Sequence, residues 1–362
     1  MIPIARPILS KLEKDMVNEV LESGILATGE YVSNFEKKFA EFNDVPFAIA
    51  TTSGTTGLHA AIEALKLPKG SEIITTPFTF IASSNSILYS GHKPVFVDVD
   101  EDTCNIKTEH IREMVKSNGN IKAILVVHLY GLPANMEEIM EIANELNLKV
   151  IEDCAQAHGA EINGRKVGTF GDVGVFSFYP TKNMTTSEGG MIVTKNEEIY
   201  NKCRLLINHG SSERYIHTIL GYNYRMTNIC AAIGLGQLEQ INYFTSQRIN
   251  NAKLLNEGLS NLNWLQIPYV PSNYKHVYHQ YTIKIRDKKR KNVIIKLEEE
   301  KIGYGIHYPT PIHLQPYYKM LGYGNQSLPN SERLSMEVLS LPVHPSVSKQ
   351  DIDKIVTVLT SM

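Results

Sequence analysis

The sequence has little that points to a secreted, metal-binding or membrane protein. Its 362 residues include only 4 cysteines, scattered without a Cys-x-x-Cys pair, so zinc and redox motifs are not expected. No uninterrupted apolar run approaches the roughly 18 residues that a membrane span needs. The first residues meet charged side chains within a dozen positions, unlike a signal peptide. We therefore expect a cytoplasmic setting, no metal and no membrane partner.

Charge of one sign is also lacking. Lys plus Arg number 36 against 38 for Asp plus Glu, so the formal net charge is −2. No global basic field therefore exists to hold nucleic acid. The 24 glycines and 16 prolines are ordinary counts, which excludes collagen-like and disordered classes. At about 150 residues per domain, the length predicts two domains.

Short β-rich segments alternate with helical ones between residues 46 and 195. The strand segments are almost continuously apolar, which is typical of a largely parallel sheet covered by helices on both faces. Ser53 and Asn135 are suited to cap two of the helices. We predict strands at 46–50, 72–75, 94–99, 121–127, 149–152, 172–178 and 190–194, and helices near 54–66, 80–90, 107–117 and 136–147.

The pattern changes towards the carboxyl end. The predicted elements are a helix rich in small residues at 227–241, a strand at 279–285, a charged turn at 286–291, a helix to about 301, and helices at 331–339 and 349–359. We expect a large domain, including the N-terminal segment, at residues 1–245 and a smaller α+β domain at 246–362.

The first of three segments that could carry chemistry is Thr-Thr-Ser-Gly-Thr-Thr at 51–56, directly after a strand and at the start of a helix. In an open α/β sheet, ligands bind at the carboxyl ends of the strands, where helix N-termini supply free N–H groups. Small hydroxyl residues around Gly54 would let these groups approach an anion. A capped turn without a ligand is the alternative.

The second segment, 150–159, is an apolar strand that ends in Glu152 and Asp153. At least one of these carboxylates would lie at the rim of the expected crevice. There it could pair with a protonated ring nitrogen or a metal, or simply cap an element. His158, in the same segment, is interpreted as a structural histidine.

The third segment, 174–190, places Lys182 after an apolar strand, among hydroxyl residues and ahead of two glycines. A desolvated lysine has a lowered pKa and can form a Schiff base, whereas a surface-loop lysine is the alternative. Together, the three segments offer an anion cradle, an acid for a heterocyclic nitrogen and an imine-forming amine. Pyridoxal phosphate (PLP) needs these three groups.

With Pro-Phe-Thr-Phe-Ile-Ala-Ser at 77–83 and Gly-Tyr-Asn-Tyr-Arg-Met-Thr at 221–227, these segments resemble the DegT/DnrJ/StrS family of PLP-dependent nucleotide-sugar aminotransferases. The resemblance runs from about residue 28 to 345. It implies an α/β, aspartate-aminotransferase-like PLP fold whose large domain has a mostly parallel central sheet flanked by helices. It also implies pyridoxal 5'-phosphate as cofactor, pyridoxamine phosphate as its intermediate form, and a homodimer with shared active sites.

The resemblance also implies roles for individual residues. Lys182 would hold the cofactor and transfer protons, and Asp153 would pair with its pyridine nitrogen. The other implied cofactor contacts are Gly54, Thr55 and Ser177 at the phosphate, Phe80 on the ring face, Gln156 near the ring hydroxyl, and Asn223 at the cofactor of the neighbouring subunit. The residues implied near the sugar are His307, Tyr308 and His313, for which a proline-rich connector is the alternative.

The expected reaction, by resemblance, moves an amino group from L-glutamate to a nucleotide-linked keto-sugar, with a 4-keto-6-deoxy hexose preferred. The product would serve amino-sugar or surface-polysaccharide biosynthesis. A keto-cyclitol is the nearest alternative substrate. A PLP-dependent sugar dehydratase has a histidine where this chain has Lys182. A DNA-binding regulator would need a basic helix-turn-helix segment, which the sequence lacks.

Overall fold

The computed structural model describes residues 1–286 and 289–362, so Asp287 and Lys288 of the predicted charged turn lie outside the described residues. The α-helices are α1 (Lys11–Ser23), α2 (Glu30–Phe42), α3 (Gly54–Ala64), α4 (Ala82–Tyr89), α5 (Glu109–Ser117), α6 (Met136–Leu146), α7 (Glu197–Leu206), α8 (Asn228–Leu259), α9 (Arg290–Glu299), α10 (Pro316–Met320), α11 (Pro329–Glu337) and α12 (Lys349–Thr360). Ser53 and Asn135 cap α3 and α6, as predicted.

The strands form a large central sheet and several small sheets. They are β1 (Phe47–Thr51), β2 (Glu72–Thr75), β3 (Lys93–Phe96), β4 (Ile121–Val127), β5 (Lys149–Asp153), β6 (Glu161–Ile162), β7 (Arg165–Lys166), β8 (Val173–Ser177), β9 (Gly190–Thr194), β10 (Ser211–Glu213), β11 (Ile216–His217), β12 (Leu265–Gln266), β13 (Tyr274–Lys275), β14 (Tyr281–Ile285) and β15 (Val338–Leu341).

The central sheet has the strand order β1-β9-β8-β5-β4-β2-β3. Strands β8, β5, β4, β2 and β3 pair in parallel, whereas β9 runs antiparallel to both of its neighbours, β1 and β8. The segment that joins β8 and β9 contains no helix. The prediction of an α/β fold with a mostly parallel central sheet is confirmed.

Helices cover both faces of this sheet. Val175 and Phe176 are successive residues of β8, so their side chains point to opposite faces. Val175 belongs to a buried cluster that includes residues of α3 and α7. Phe176 packs in a second cluster with Phe39 of α2 and Ala231 of α8. Apolar contacts on both faces explain why the strand sequences are almost continuously apolar.

The carboxyl-terminal part has a separate antiparallel sheet with the order β12-β14-β15. Its buried side chains pack with Leu255 of α8, Val293 of α9 and Ile355 of α12. This arrangement is the α+β type that was expected for the smaller part. The boundary predicted between residues 245 and 246 lies inside α8, which contributes to both parts. The division at that residue stays a prediction.

Two elements near the carboxyl end differ from the predictions. The helix predicted at 227–241 continues to Leu259, because its second half packs against the smaller sheet. The helix predicted at 331–339 is wrong at its end, since α11 stops at Glu337 and Val338–Leu341 form β15. Val338 and Leu339 are fully buried there and pair with β14, which outweighs the local helical pattern.

Helices α1, α2, α7 and α10 were not predicted. Among the described residues, none of the helices combines the length and the apolar character that crossing a membrane requires.

Candidate active site

A cavity of about 580 Å³ opens where β1, β4, β5 and β8 end. Carboxyl ends of strands are the expected ligand-binding edge of such a sheet. The predicted site residues that line the cavity are Gly54, Thr55, Phe80, Asp153, Gln156, Ser177, Lys182, His307 and Tyr308. The fold therefore brings together segments that are more than 250 positions apart in the chain.

One end of the cavity is formed by the start of α3. Ser53 caps this helix, with its Oγ accepting from Thr56 N–H at 3.2 Å. The main chain here is closely packed: a Cβ on Gly54 would lie 2.8 Å from Ser177 Cβ, and one on Gly190 would lie 2.5 Å from the Ser53 main chain. Free N–H groups of the helix and the Ser177 hydroxyl can thus approach one ligand. This cradle suits a phosphate.

Asp153, at the end of β5, is 5% exposed and faces the cavity. Its Oδ2 accepts from Ser83 Oγ at 2.7 Å and its Oδ1 accepts from Ala155 N–H at 3.1 Å. Burial raises the pKa of the Asp153 carboxyl, and these two hydrogen bonds oppose the rise. A protonated ring nitrogen opposite Asp153 would compensate the buried negative charge.

Glu152 precedes Asp153 and is fully buried. Its carboxylate accepts main-chain N–H groups from Gly168, Phe170 and Gly171 at 2.7–2.8 Å, and its Oε2 lies 3.1 Å from His128 Nε2. His128 Nδ1 accepts from Ala134 N–H, so Nε2 carries the proton that is donated to Glu152. Glu152 is therefore a structural carboxylate, and Asp153 is the one that faces the cavity.

Lys182 lies in the loop between β8 and β9. The loop is held by hydrogen bonds from Lys182 N–H to the Tyr179 carbonyl at 2.8 Å and from Thr186 N–H to the Phe178 carbonyl at 3.0 Å. Burial lowers the pKa of the Lys182 amine to about 8, with Asp153 opposing the shift. A lysine with this pKa has a substantial neutral fraction near neutral pH. It can therefore attack a carbonyl carbon.

Gln156 joins two walls of the cavity. Its Oε1 accepts from Tyr130 N–H at 2.7 Å, and its Nε2 donates to the Tyr308 hydroxyl at 3.1 Å. The Tyr130 hydroxyl in turn donates to the His307 carbonyl. Burial raises the pKa of Tyr308, so its hydroxyl stays protonated and can donate a hydrogen bond to a ligand.

His307 and Phe80 both lie near Tyr308. Burial lowers the pKa of His307 to about 4, and the nearby Lys182 adds to this shift, so the imidazole is neutral. The Nδ1 of His307 lies 3.0 Å from Ser340 Oγ. Phe80 is 58% exposed, with its ring centroid 6.3 Å from that of Tyr308. This exposed ring offers an apolar face to a flat ligand.

Residues 7–360 match the DegT/DnrJ/EryC1/StrS aminotransferase family. This chain belongs to that family. Its members are PLP-dependent aminotransferases, as the resemblance of the motifs implied.

Named relatives of this DegT-family chain match it over nearly its whole length. GDP-perosamine synthase from Escherichia coli O157:H7 is 40% identical, covering 97% of this chain and 95% of the relative. UDP-N-acetyl-3-dehydro-alpha-D-glucosamine 3-aminotransferase from Acidithiobacillus ferrooxidans is 40% identical, covering 95% and 91%. The crystal structure of S. venezuelae DesV in complex with a ketimine intermediate has a TM-score of 0.93 at 31% identity, covering 96% and 93%.

The residues of this DegT-family site fit PLP. At Gly54 the main chain can come close to a phosphate, and the free N–H groups at the start of the helix favour its negative charge. Asp153 offers a buried acceptor to a ring nitrogen, and Lys182 offers an amine whose pKa is suited to imine formation. The three groups face one cavity.

Two predicted site residues do not line this cavity. Asn223 is exposed, and its main chain bridges to Asn208. Its implied role concerns a neighbouring subunit and stays a prediction. His313 is fully buried, with Nε2 3.3 Å from Glu332 Oε1 of α11. The structure therefore gives no support to a sugar contact for His313, because packing against α11 takes it away from the cavity.

Other cavity residues of the DegT-family chain received no role from the sequence. Ser83 was visible in the segment at 77–83, but its bond to Asp153 depends on tertiary structure. Glu188 lies at the exposed side of the cavity. His279 Nδ1 and Gln280 Oε1 are buried and have no hydrogen-bond partner among the described residues. No motif marks these two residues, since they lie just before an ordinary strand, β14.

Proposed function

We propose that the protein transfers an amino group from L-glutamate to a nucleotide-linked keto-sugar. The observation that carries the proposal is that Lys182, with its lowered pKa, and the buried Asp153 share one cavity with a phosphate cradle. The names of the two curated relatives contain a GDP-linked and a UDP-linked sugar, which supports a nucleotide-sugar substrate.

Bound pyridoxal 5'-phosphate would supply an aldehyde for imine formation and a ring that accepts electrons. Gly54, Thr55 and Ser177 would bind its phosphate, because they line the cradle at the start of α3. Phe80 would lie against the ring face, and Gln156 would lie near the ring hydroxyl.

Lys182 Nζ would carry the proton transfers. As a free amine it would take a proton from Cα of the amino donor, and in the second half-reaction it would return a proton to the sugar carbon. A pKa of about 8 suits both directions near neutral pH. Asp153 would keep the ring nitrogen protonated, since a carboxylate next to a cationic nitrogen favours the charged form of both groups.

The sugar would lie on the side of the cavity formed by His307 and Tyr308. Both line the cavity, and the neutral His307 imidazole and the Tyr308 hydroxyl can exchange hydrogen bonds with sugar hydroxyls. We keep a 4-keto-6-deoxy hexose as the expected sugar and amino-sugar or surface-polysaccharide biosynthesis as the expected pathway. A keto-cyclitol remains the alternative substrate.

A homodimer is part of the proposal. Asn223 is exposed in the single chain and lies outside its own cavity, which agrees with a role across a subunit interface. We expect Asn223→Ala to weaken cofactor binding while the protein still elutes at the size of a dimer. Elution of the wild-type holoenzyme as an active monomer would contradict shared active sites.

The decisive experiment combines Lys182→Ala with product analysis. The PLP-loaded wild type should aminate members of a panel of nucleotide-linked 3-keto and 4-keto sugars with L-glutamate as donor, and mass spectrometry should show the added amine. Lys182→Ala should lose this activity by at least about 10⁴-fold, while circular dichroism stays unchanged. Loss of a sugar hydroxyl without nitrogen gain would indicate a dehydratase, and amination of cyclitols alone would contradict the sugar substrate.

A further inference from the structure

Arg248 of α8 is a buried cation that forms no ion pair with any of the described residues. It is 5% exposed, and its Nη1 donates to the main-chain carbonyls of Tyr278 at 3.1 Å and His279 at 3.2 Å. Its Nε has no hydrogen-bond partner among the described residues. Burying a charge is costly unless the charge is paired. The arrangement therefore lacks a negative group.

A small cavity of about 20 Å³ lies beside this guanidinium. Arg6 and Lys182 line it together with Arg248, and Thr181 and Lys182 also line the larger cavity. This volume has room for about one water molecule. A single ion such as chloride, or one oxygen of a carboxylate, therefore matches it in size.

Arg6 brings a second guanidinium to the same place. It is exposed and forms no ion pair with any residue in the described part of the chain. Burial lowers the pKa of His344, and Arg248 and Arg6 add to this shift, so the two cations lie near one imidazole. Burial lowers the pKa of Arg248 only to about 10, so it remains charged at neutral pH. Two residues with charged guanidinium groups and Lys182 thus line one small space.

We propose that Arg6 and Arg248 bind a small monovalent anion beside Lys182. The anion has two possible sources, a free halide or a carboxylate of the amino donor. Among the described residues lining the larger cavity, Lys182 is the one lysine or arginine, so a dicarboxylate donor finds no guanidinium of the same chain there. The donor source rests on the proposed function, whereas binding of a halide does not.

The first test measures chloride binding by the PLP-loaded holoenzyme without substrates, from the chloride NMR line width. The wild type should broaden the line, and formate, the smallest carboxylate, should reverse the broadening. Arg6→Gln, at an exposed position, should weaken chloride binding about tenfold without affecting folding. Arg248→Met should do the same, and Arg248→Lys should restore part of the binding.

Lys253→Gln is the matched control, because it removes one positive charge from an exposed position on the same helix. It should leave the line width unchanged. Equal broadening by the wild type, Arg6→Gln and Arg248→Met would overturn the proposal. Absence of broadening by the wild type would also overturn it, since the cavity would then hold water only.

The second test identifies the source of the anion. If the donor carboxylate occupies the site, L-glutamate displaces chloride, chloride competes with L-glutamate, and Arg6→Gln raises KM for L-glutamate about tenfold at unchanged kcat. If a free halide occupies it, chloride stays bound at saturating L-glutamate and this KM is unchanged. Either result supports the anion site. An enzyme inactive with L-glutamate would contradict the proposed function but leave chloride binding to be judged by the first test.

Discussion

The strand end at Glu152 and Asp153 is called the floor here, because Asp153 lines the large cavity at this point. The floor differs from the cavity wall at His279 and Gln280 in how the polar atoms are paired. Both carboxylates of the floor accept hydrogen bonds on each of their oxygens. The wall instead presents His279 Nδ1 and Gln280 Oε1 without a partner in the described part of the chain.

The carboxylates of the floor are preorganised by their hydrogen bonds, whereas the polar atoms of the wall are free to bind a ligand. An unpaired buried polar atom costs about 1–3 kcal/mol unless something binds it, so natural proteins keep few of them. The floor is fixed before any ligand arrives, which suits a group that must hold a cofactor at one angle. We expect the unpaired atoms of the wall to bind different groups of the amino donor and of the sugar in the proposed reaction.

The largest expected effect comes from removing the charge of the floor at Asp153. Asp153→Asn retains the size of the side chain but removes the negative charge that would face a ring nitrogen. We expect kcat/KM to fall by about 10²–10³-fold, because a preorganised charge in a buried site contributes this much to catalysis. Steady-state kinetics with L-glutamate and an accepted keto-sugar would measure it.

Glu198→Gln is the control for this change. Glu198 is an exposed carboxylate of α7 that pairs with Lys66, so its loss should leave kcat/KM unaltered. Full activity of Asp153→Asn would show that the floor does not act through charge.

The next effect concerns stability and the neighbouring carboxylate. Glu152→Gln replaces an oxygen that accepts buried N–H groups by an amide nitrogen, which can only donate. The unfolding free energy should fall by roughly 2–5 kcal/mol, because buried donors lose their acceptor. Urea denaturation would measure the fall.

Glu161→Gln is the control for the stability measurement. It removes an ion pair of 2.7 Å with Lys275 that is partly exposed, and should cost less than about 1 kcal/mol. Equal stability of Glu152→Gln and the wild type would contradict the interpretation of Glu152 as a structural carboxylate.

The floor could be predicted from the sequence better than the wall could. The Glu-Asp pair at a strand end, the lysine after the next strand and the hydroxyl-rich helix start are local patterns with a clear physical meaning. The strand period alone does not decide which of Glu152 and Asp153 faces the cavity, because the sheet is buried on both faces. Helix α1 could also have been found, since Ser10 and Glu13 form a capping box.

The wall and the carboxyl-terminal part depend on contacts distant in sequence. His279 and Gln280 lie before β14 in a segment without a motif, and only the fold brings them to the cavity. The pairing of Val338–Leu341 with β14 likewise converts an apparent helix end into a strand. His313 lies in a stretch that resembles a family motif, but its side chain contacts Glu332 and does not line the cavity. Local sequence does not encode any of these three outcomes.

A smaller effect should come from the wall itself. Gln280→Leu removes an oxygen that has no partner within the described residues, so stability should not fall. KM for the keto-sugar should rise about 2- to 10-fold, the loss expected for one hydrogen bond to a ligand. The exposed Gln326→Leu serves as control. A clear loss of stability in Gln280→Leu with unchanged KM would mean that the wall is as rigidly paired as the floor.

The last prediction concerns Lys182, which lines the cavity together with the floor and the wall. In the cofactor-free protein its pKa falls from 10.5 to about 8, because burial disfavours the charged amine more than Asp153 favours it. Between pH 8 and 10.5 the unfolded chain therefore binds a proton that the folded chain has released. Stability rises with pH wherever the unfolded state binds more protons. Urea denaturation across this window should show the wild type gaining stability relative to Lys182→Met, and parallel curves would mean that Lys182 is solvated rather than buried.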